Sequence, residues 1–331
     1  MNKNRSSKIK YVCTTGPSMN NIDIIEKLYK LGLDTVRFNM SYRNKSMIKE
    51  LVPAIQELNK VKNYNIKTMV DLCGPEIRIN INDPLKITFG ETYTIGIDIK
   101  IREGDTSVLK EEDIIIFGDG EIKFKVIENK NNLIKCESLS SGILKKNKKI
   151  TNEKLCRTSP FISDNDRIDI MNAIENNINY LCVSFVNSVE DIIQIKEIIK
   201  EARIKIIAKI ETKEGYNNLK EIIPYVDGIM IGRGDLGVRF NIWEIGYIQK
   251  EICKIVKESN KTLIVATGFL SSMKENQIPT RAEVNDLYNT YLDGADMIMF
   301  TGETASSLSP ENVLITANNI VDSDQRLQRN N

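Results

Sequence analysis

Lys209 and Glu211 sit in the run I-I-A-K-I-E, where polar and apolar residues alternate. In a strand this spacing puts both side chains on one face. An ammonium and a carboxylate side by side at a strand end suit a bound anion and its counter-ion; a structural ion pair is the other reading. A buried ammonium standing alone would tend to lose its proton. Downstream, G-R-G-D places Asp235 after a short apolar run. Two carboxylates with little else, Glu211 and Asp235, suit Mg²⁺, which keeps waters and takes further ligands from substrate oxygens. Two solvated loop acids are the alternative. Arg37 and Arg78 are permanently charged forks suited to phosphate. Asn39, Ser41 and Asp71 offer hard oxygens suited to a monovalent cation. Together these residues point to a small phosphorylated, carboxylated substrate handled with a metal.

Composition narrows the chemistry. The chain has 331 residues and no histidine. A Ser-His-Asp triad, a Cys-His nucleophile and a His-rich zinc site are therefore excluded. Acid–base work falls to Lys, Asp, Glu, Thr, Tyr or water. With 46 basic and 45 acidic residues the net charge is +1, which gives no pull toward nucleic acid or an anionic membrane. No apolar run reaches the ~18 residues of a membrane span, and the start MNKNRSSKIK has no apolar stretch of a secretory signal. The six cysteines form no C-x-x-C pair and read as reduced. A cytoplasmic enzyme is expected.

These residues need a scaffold that gathers them. Eight strand candidates, rich in Ile and Val, cover 8–15, 34–40, 68–72, 180–185, 205–211, 228–232, 263–267 and 297–303. Helix-period segments at 21–31, 44–59, 188–201, 242–258, 281–292 and 310–320 alternate with them. Gly32 reads as a helix stop, and Ser188 with Asp191 as a cap. Eight β–α units in series predict an α/β fold, a (β/α)8 TIM barrel, with the site at the carboxyl ends of the strands. The chemically active residues stand at those ends: Arg37 and Asn39 after strand 2, Asp71 after strand 3, Lys209 and Glu211 after strand 5, Gly232 to Asp235 after strand 6, Thr267 after strand 7. From about residue 79 to 155 the text changes to short alternating strands with turn signals. The expected organisation is a barrel over 1–78 and 156–331, with a small all-β lid over 79–155 inserted after strand 3. G-R-G-D-L-G also matches a dinucleotide fingerprint. It follows the sixth strand rather than opening the fold, so a glycine turn presenting backbone N–H groups to a substrate carboxylate reads better.

TTGPS (14–18), RFNMS (37–41), GPEIR (74–78), AKIET (208–212), DGIMIGRGDLGV (227–238), the stretch from VAT (265–267) to PTRAE (279–283), and DGADMIMFTGETA (293–305) occur in this order over nearly the whole chain. In these blocks the chain resembles the pyruvate kinase family. The resemblance implies conversion of phosphoenolpyruvate and ADP to pyruvate and ATP, with Mg²⁺ or Mn²⁺ and K⁺. It gives Arg37 a phosphate contact and makes Arg78 the second active-site arginine. It makes Asn39, Ser41, Asp71 and the Leu72 carbonyl the K⁺ ligands, and Glu76 the glutamate of potassium-dependent members. Lys209 would stabilise the transferring phosphoryl group and the enolate, and Glu211 and Asp235 would hold Mg²⁺. The turn Gly232-Arg233-Gly234 would bind the substrate carboxylate through its amides, and Thr267 would lie on the proton path. Tyr42 stands where the family has a histidine near adenine, and Asp119 and Lys148 fall at lid positions on the nucleotide side.

The chain departs from the family pattern mostly on that nucleotide side. Cys73 and Ser306 replace lysines, Arg43 replaces a glycine, and Gly268-Phe269 replaces a Gln-Met pair. The family's C-terminal regulatory domain is expected to be missing, and with it the usual effector control; a homodimer through the barrel is the expected assembly. Two other readings stand beside phosphotransfer. One is metal-enolate chemistry on pyruvate or another 2-oxo acid without the usual use of ADP. The other is a paralogue without turnover.

Overall fold

The computed structural model describes residues 9–42, 45–101, 105–118, 120–152, 154–155 and 160–323. They form two compact units. One comprises the described residues of 9–73, 165–233 and 246–323; the other comprises those of 74–164 and 234–245.

The first unit is a closed barrel of eight parallel strands. In chain order they are Lys10–Thr14, Leu33–Asn39, Lys67–Asp71, Tyr180–Val183, Lys205–Ile210, Gly228–Gly232, Thr262–Ala266 and Met297–Phe300. Each pairs with its neighbours in sequence, and the first closes on the eighth through Lys10–Met297 to Cys13–Phe300. All eight expected strands are present. Most are buried on both faces, as parallel strands covered by helices must be. Val12, Met69, Cys182, Ile207, Met230 and Ile264 lie in one buried cluster. Each such side chain is worth about 1.5–3 kcal/mol relative to exposure, so the barrel holds the strand ends in fixed register.

Helices alternate with the strands. Ile22–Lys30 starts at Asn21, whose side chain accepts from the Ile24 amide, and ends before Gly32 at φ +105°, a conformation open to glycine. Val189–Ile199 starts with a capping box between Ser188 and Asp191. The helix expected from 242 divides: a 3₁₀ turn covers Ile242–Glu244 and the α-helix runs Ile245–Glu258. Among the described residues no helix is long and apolar enough to cross a membrane.

The second unit is all-β in its 74–155 portion. Its main sheet has five antiparallel strands in the order Ile150–Thr151, Ile114–Phe117, Ile122–Lys130, Leu133–Ser138, Thr92–Ile95. The stretch DIIIFGDGEIKFKVIE forms a hairpin, with Phe117 opposite Ile122 and left-handed glycines at 118 and 120 in the turn. Strand alternation buries Ile122, Phe124 and Val126 on one face. Phe124 stacks on Tyr93 at 5.3 Å and meets Phe117 edge-on at 5.0 Å.

Candidate active site

The barrel's carboxyl ends are joined by a continuous polar network. Thr14, last residue of the first strand, donates its hydroxyl to the Phe300 carbonyl on the eighth (2.7 Å). The same oxygen accepts from Arg37 Nη1 on the second strand (2.9 Å). Arg37 then closes on Asp71 of the third, with Nε at 2.7 Å and Nη2 at 2.6 Å from Oδ2. The other oxygen, Asp71 Oδ1, lies 3.3 Å from Lys209 Nζ on the fifth strand. Lys209 also meets Glu211 Oε1 at 3.0 Å and the Ser184 hydroxyl at 2.8 Å. Five strands thus contribute to one polar network, with its charges on the second, third and fifth.

Lys209 has the carboxylate beside it that the strand spacing predicts, and Asp71 and Ser184 besides. Burial opposes its charge, but Asp71 and Glu211 outweigh burial and raise its pKa above the ordinary lysine value. It stays protonated at neutral pH. Asp71 shows the reciprocal effect: burial disfavours the carboxylate, yet Lys209 and Arg37 hold its pKa below the usual range. The arrangement therefore presents a fixed cation whose three N–H donors point at oxygens. It is suited to receive an anion that competes for those donors.

Glu211 is 3% exposed. Its Oε2 accepts from the Phe185 amide at 3.0 Å. Phe185 itself takes a left-handed φ of +57°. Across from it, Gly232 leaves room for the carboxylate: an added Cβ would stand 2.5 Å from Glu211 Oε1. Gly232→Ala should therefore push Glu211 off its place; if Glu211 holds a divalent metal, as the family resemblance implies, metal binding should weaken by about tenfold or more, the order carried by supporting contacts of a metal ligand. Titration with Mn²⁺ followed by electron paramagnetic resonance checks this; an unchanged affinity would mean that the carboxylate is not held there by the glycine.

At the sixth strand's exit the side chain of Arg233 is taken up by protein contacts. Nη1 and Nη2 grip Asp286 at 2.6 and 2.8 Å, Nη1 also donates to Gln249 Oε1 (3.1 Å), and Nε and Nη2 hold the Thr267 carbonyl at 3.0 and 2.6 Å. The guanidinium lies over the Phe269 ring, 3.9 Å from its centre. Thr267 has φ +75° and Gly268 +87°. A substrate contact from Arg233 would come from its backbone, because its side chain is spent on the turn after the seventh strand. Asn39 Oδ1 accepts from the Ser41 amide at 3.1 Å, and the Leu72 carbonyl accepts from Ser184 at 2.8 Å.

The remaining site candidates belong to the second unit. Arg78 pairs with Glu76 and donates to the Asn147 carbonyl at 2.8 Å. Burial raises the Glu76 pKa; Arg78 opposes the rise, and Asp235 adds to it. Asp235 Oδ1 holds Lys149 Nζ at 2.7 Å with both side chains largely buried. Lys148, the lysine singled out from the sequence, instead makes an exposed pair with Glu121 at 2.7 Å. Asp119 and the side chain of Tyr42 lie outside the described residues.

Sequence reasoning missed Thr14, Ser184 and Phe185 as contributors. The only signal was position: each stands at or just after the end of a strand whose neighbours carry charge.

Comparison with known proteins bears on all of this. A family model described as "Pyruvate kinase, barrel domain" matches residues 5–314. A pyruvate kinase of Clostridium perfringens is 34% identical over 328 residues, covering 95% of this chain and 69% of that protein. One from Thermotoga maritima is 35% identical over 319 residues, covering 92% and 68%. Among solved structures, a pyruvate kinase from Cryptosporidium parvum superposes with a TM-score of 0.87 at 29% identity, covering 96% of this chain and 69% of that one.

Proposed function

The chain belongs to the pyruvate kinase family, and from that premise we propose that it moves the phosphoryl group of phosphoenolpyruvate to ADP, leaving pyruvate and ATP. The observation that carries the reading is the placement of Lys209 between Asp71, Glu211 and Ser184 at the mouth end of the fifth strand.

Phosphoryl transfer is catalysed mainly by positioning and by charge. In the reaction the bond from phosphorus to the enol oxygen breaks, and an ADP oxygen takes the phosphorus. The enolate left behind takes a proton at carbon. Lys209 supplies N–H donors to the oxygen on which charge develops. Arg37 adds a second permanent cation whose fork suits phosphate oxygens. Thr267, on the clamped turn after the seventh strand, stands on the proton path, and the backbone from Gly232 to Gly234 receives the carboxylate. By the family resemblance, Arg78 would be the second active-site arginine.

By the family resemblance, Glu211 and Asp235 would hold the divalent metal. Each carboxylate assigned to it already holds a cation: Lys209 lies on Glu211 and Lys149 on Asp235. Anionic oxygens of this kind suit Mg²⁺ or Mn²⁺. When bound, the metal neutralises charge on the phosphate and the enolate oxygen. Asn39, Ser41, Asp71 and the Leu72 carbonyl supply hard oxygens for K⁺.

The test is pyruvate formation from phosphoenolpyruvate and ADP with Mg²⁺, with and without K⁺. Potassium-stimulated turnover is expected. Replacing Glu76 with Lys should then reduce the stimulation by K⁺, and an unaltered response would remove Glu76 from the cation's surroundings. A second reading is a different phosphoryl acceptor. It is favoured by Cys73 and Ser306, half-buried and exposed respectively, which stand where the family resemblance places nucleotide-side lysines. A folded sample that binds oxalate and Mg²⁺ but makes no pyruvate from ADP would select it.

A further inference from the structure

We propose that Ser184 is the positioning residue that aims Lys209; the proposal rests on the phosphotransfer reading above. Ser184 follows the fourth barrel strand and is 2% exposed. Its oxygen lies 2.8 Å from the Leu72 carbonyl and 2.8 Å from Lys209 Nζ. A carbonyl only accepts and an ammonium only donates. The hydroxyl proton therefore goes to an acceptor, with the Leu72 carbonyl nearer than Asp71 Oδ1 at 3.4 Å, and a lone pair faces Lys209. Either acceptor turns the hydroxyl proton away from the ammonium and gives the lysine a directed acceptor.

The other two partners of Lys209 are of a different kind. Glu211 Oε1 at 3.0 Å and Asp71 Oδ1 at 3.3 Å are carboxylate oxygens. Their pull on the ammonium weakens whenever another cation approaches them. The Ser184 hydroxyl is neutral and is the nearest of the three. It holds Lys209 through changes in the charge of its neighbours, and it takes no charge from the ammonium. The next residue adds to the same device. Phe185 turns its backbone to φ +57° and donates its amide to Glu211 Oε2 at 3.0 Å. The corner Ser184-Phe185 thus grips both functional side chains of the fifth strand from one side, one through a hydroxyl and one through an amide.

The experiment is a double-mutant cycle read by oxalate binding, measured calorimetrically with Mg²⁺ on the full chain. Oxalate carries the two oxygens of an enolate and needs no turnover. Ser184→Ala should weaken oxalate binding and lower kcat, each by roughly tenfold, the order expected when a hydrogen bond to a charged group is lost. KM for phosphoenolpyruvate should change less than kcat. Ser184→Thr, which keeps the hydroxyl, should restore both. In the Lys209→Met background Ser184→Ala should cause no further loss, because a residue acting through Lys209 has nothing left to aim. Losses that add fully across the cycle, or an alanine variant with wild-type oxalate affinity and kcat, would overturn the proposal. Should Ser184→Ala fail to fold, Ser184→Cys keeps the shape with a poorer acceptor and carries the same expectation. Wild-type protein that binds oxalate but makes no pyruvate from phosphoenolpyruvate and ADP would end the reading with ADP as acceptor, while the oxalate cycle would still decide the role of Ser184.

Discussion

Lys209→Met should lower kcat by about a thousandfold or more, because one fixed donor at a developing oxyanion is worth up to that order, and this one also carries a full charge. Methionine matches the lysine stem in length and apolar character, so packing is kept and the charge alone is lost. Loss of the ammonium leaves Asp71 and Glu211 facing an unbalanced negative field in a nearly buried site. Lys209 itself is 11% exposed on its side chain. Breaking such a buried pair costs about 3 kcal/mol or more. The melting temperature of the variant should therefore fall, and Mg²⁺ or K⁺ should recover part of the loss by mass action. The pH dependence follows from the two shifted groups. Asp71 has a depressed pKa in the fold, so its contribution is present above the ordinary aspartate value and is lost as pH falls through the depressed one. Without Lys209 one of its two cations is gone and its pKa rises, so acid unfolding of the variant should begin at a higher pH. Lys209 has a raised pKa, so its contribution is complete at neutral pH and is lost only in strong alkali. Thermal melts across pH, beside steady-state kinetics, check both halves. A variant with normal turnover would remove Lys209 from the mechanism, and an unchanged acid midpoint would show that Asp71 does not depend on it.

Arg233→Lys should be nearly as damaging, although the charge is conserved. The turn after the seventh strand is held in an unfavourable conformation, with Thr267 at φ +75°, Gly268 at +87° and Leu270 at +53°. A β-branched residue in the left-handed region is a strained choice. Arg233 offsets that strain by closing on the Thr267 carbonyl with two nitrogens while its other edge forks onto Asp286. Lysine has neither the fork nor the flat face that lies on Phe269. We expect a stability loss of about 2–4 kcal/mol, within the range for removing one partner of a buried, hydrogen-bonded pair. We expect kcat to fall by about a hundredfold, since a misplacement near 1 Å at a reacting group costs on that order. Chemical denaturation and kinetics on the same preparation measure both. A lysine variant with wild-type melt and rate would mean that the turn holds itself and that Thr267 needs no clamp.

Much of this could be read directly from the chain. Ile- and Val-rich runs alternating with helix-period segments point to a parallel α/β fold, because strands buried on two faces need helices over them, and eight such units in a row argue for a barrel. The alternation in I-I-A-K-I-E puts Lys209 and Glu211 on one face, since a strand repeats every two residues. Gly32 and the Ser188–Asp191 pair act where local chemistry alone decides the outcome. These are short-range signals, and the fold obeys them.

What only the tertiary structure decided is how the mouth of the barrel is wired. Thr14 and Phe300 are joined across 286 residues, and Ser184 reaches Leu72 across 112. Such pairs leave no period in the sequence. They exist because barrel closure brings distant strand ends within hydrogen-bonding reach. The charge state of Lys209 depends on the same closure: its own burial favours deprotonation, and only the carboxylates of Asp71 and Glu211 reverse that. Arg233 could have been a free anion-binding fork by its position after the sixth strand, yet Asp286 and the Thr267 carbonyl claim it. Residue type and strand register determined which groups stand at the mouth. Closure determined which of them touch, because electrostatic and hydrogen-bond energies depend on distances that local periodicity does not set.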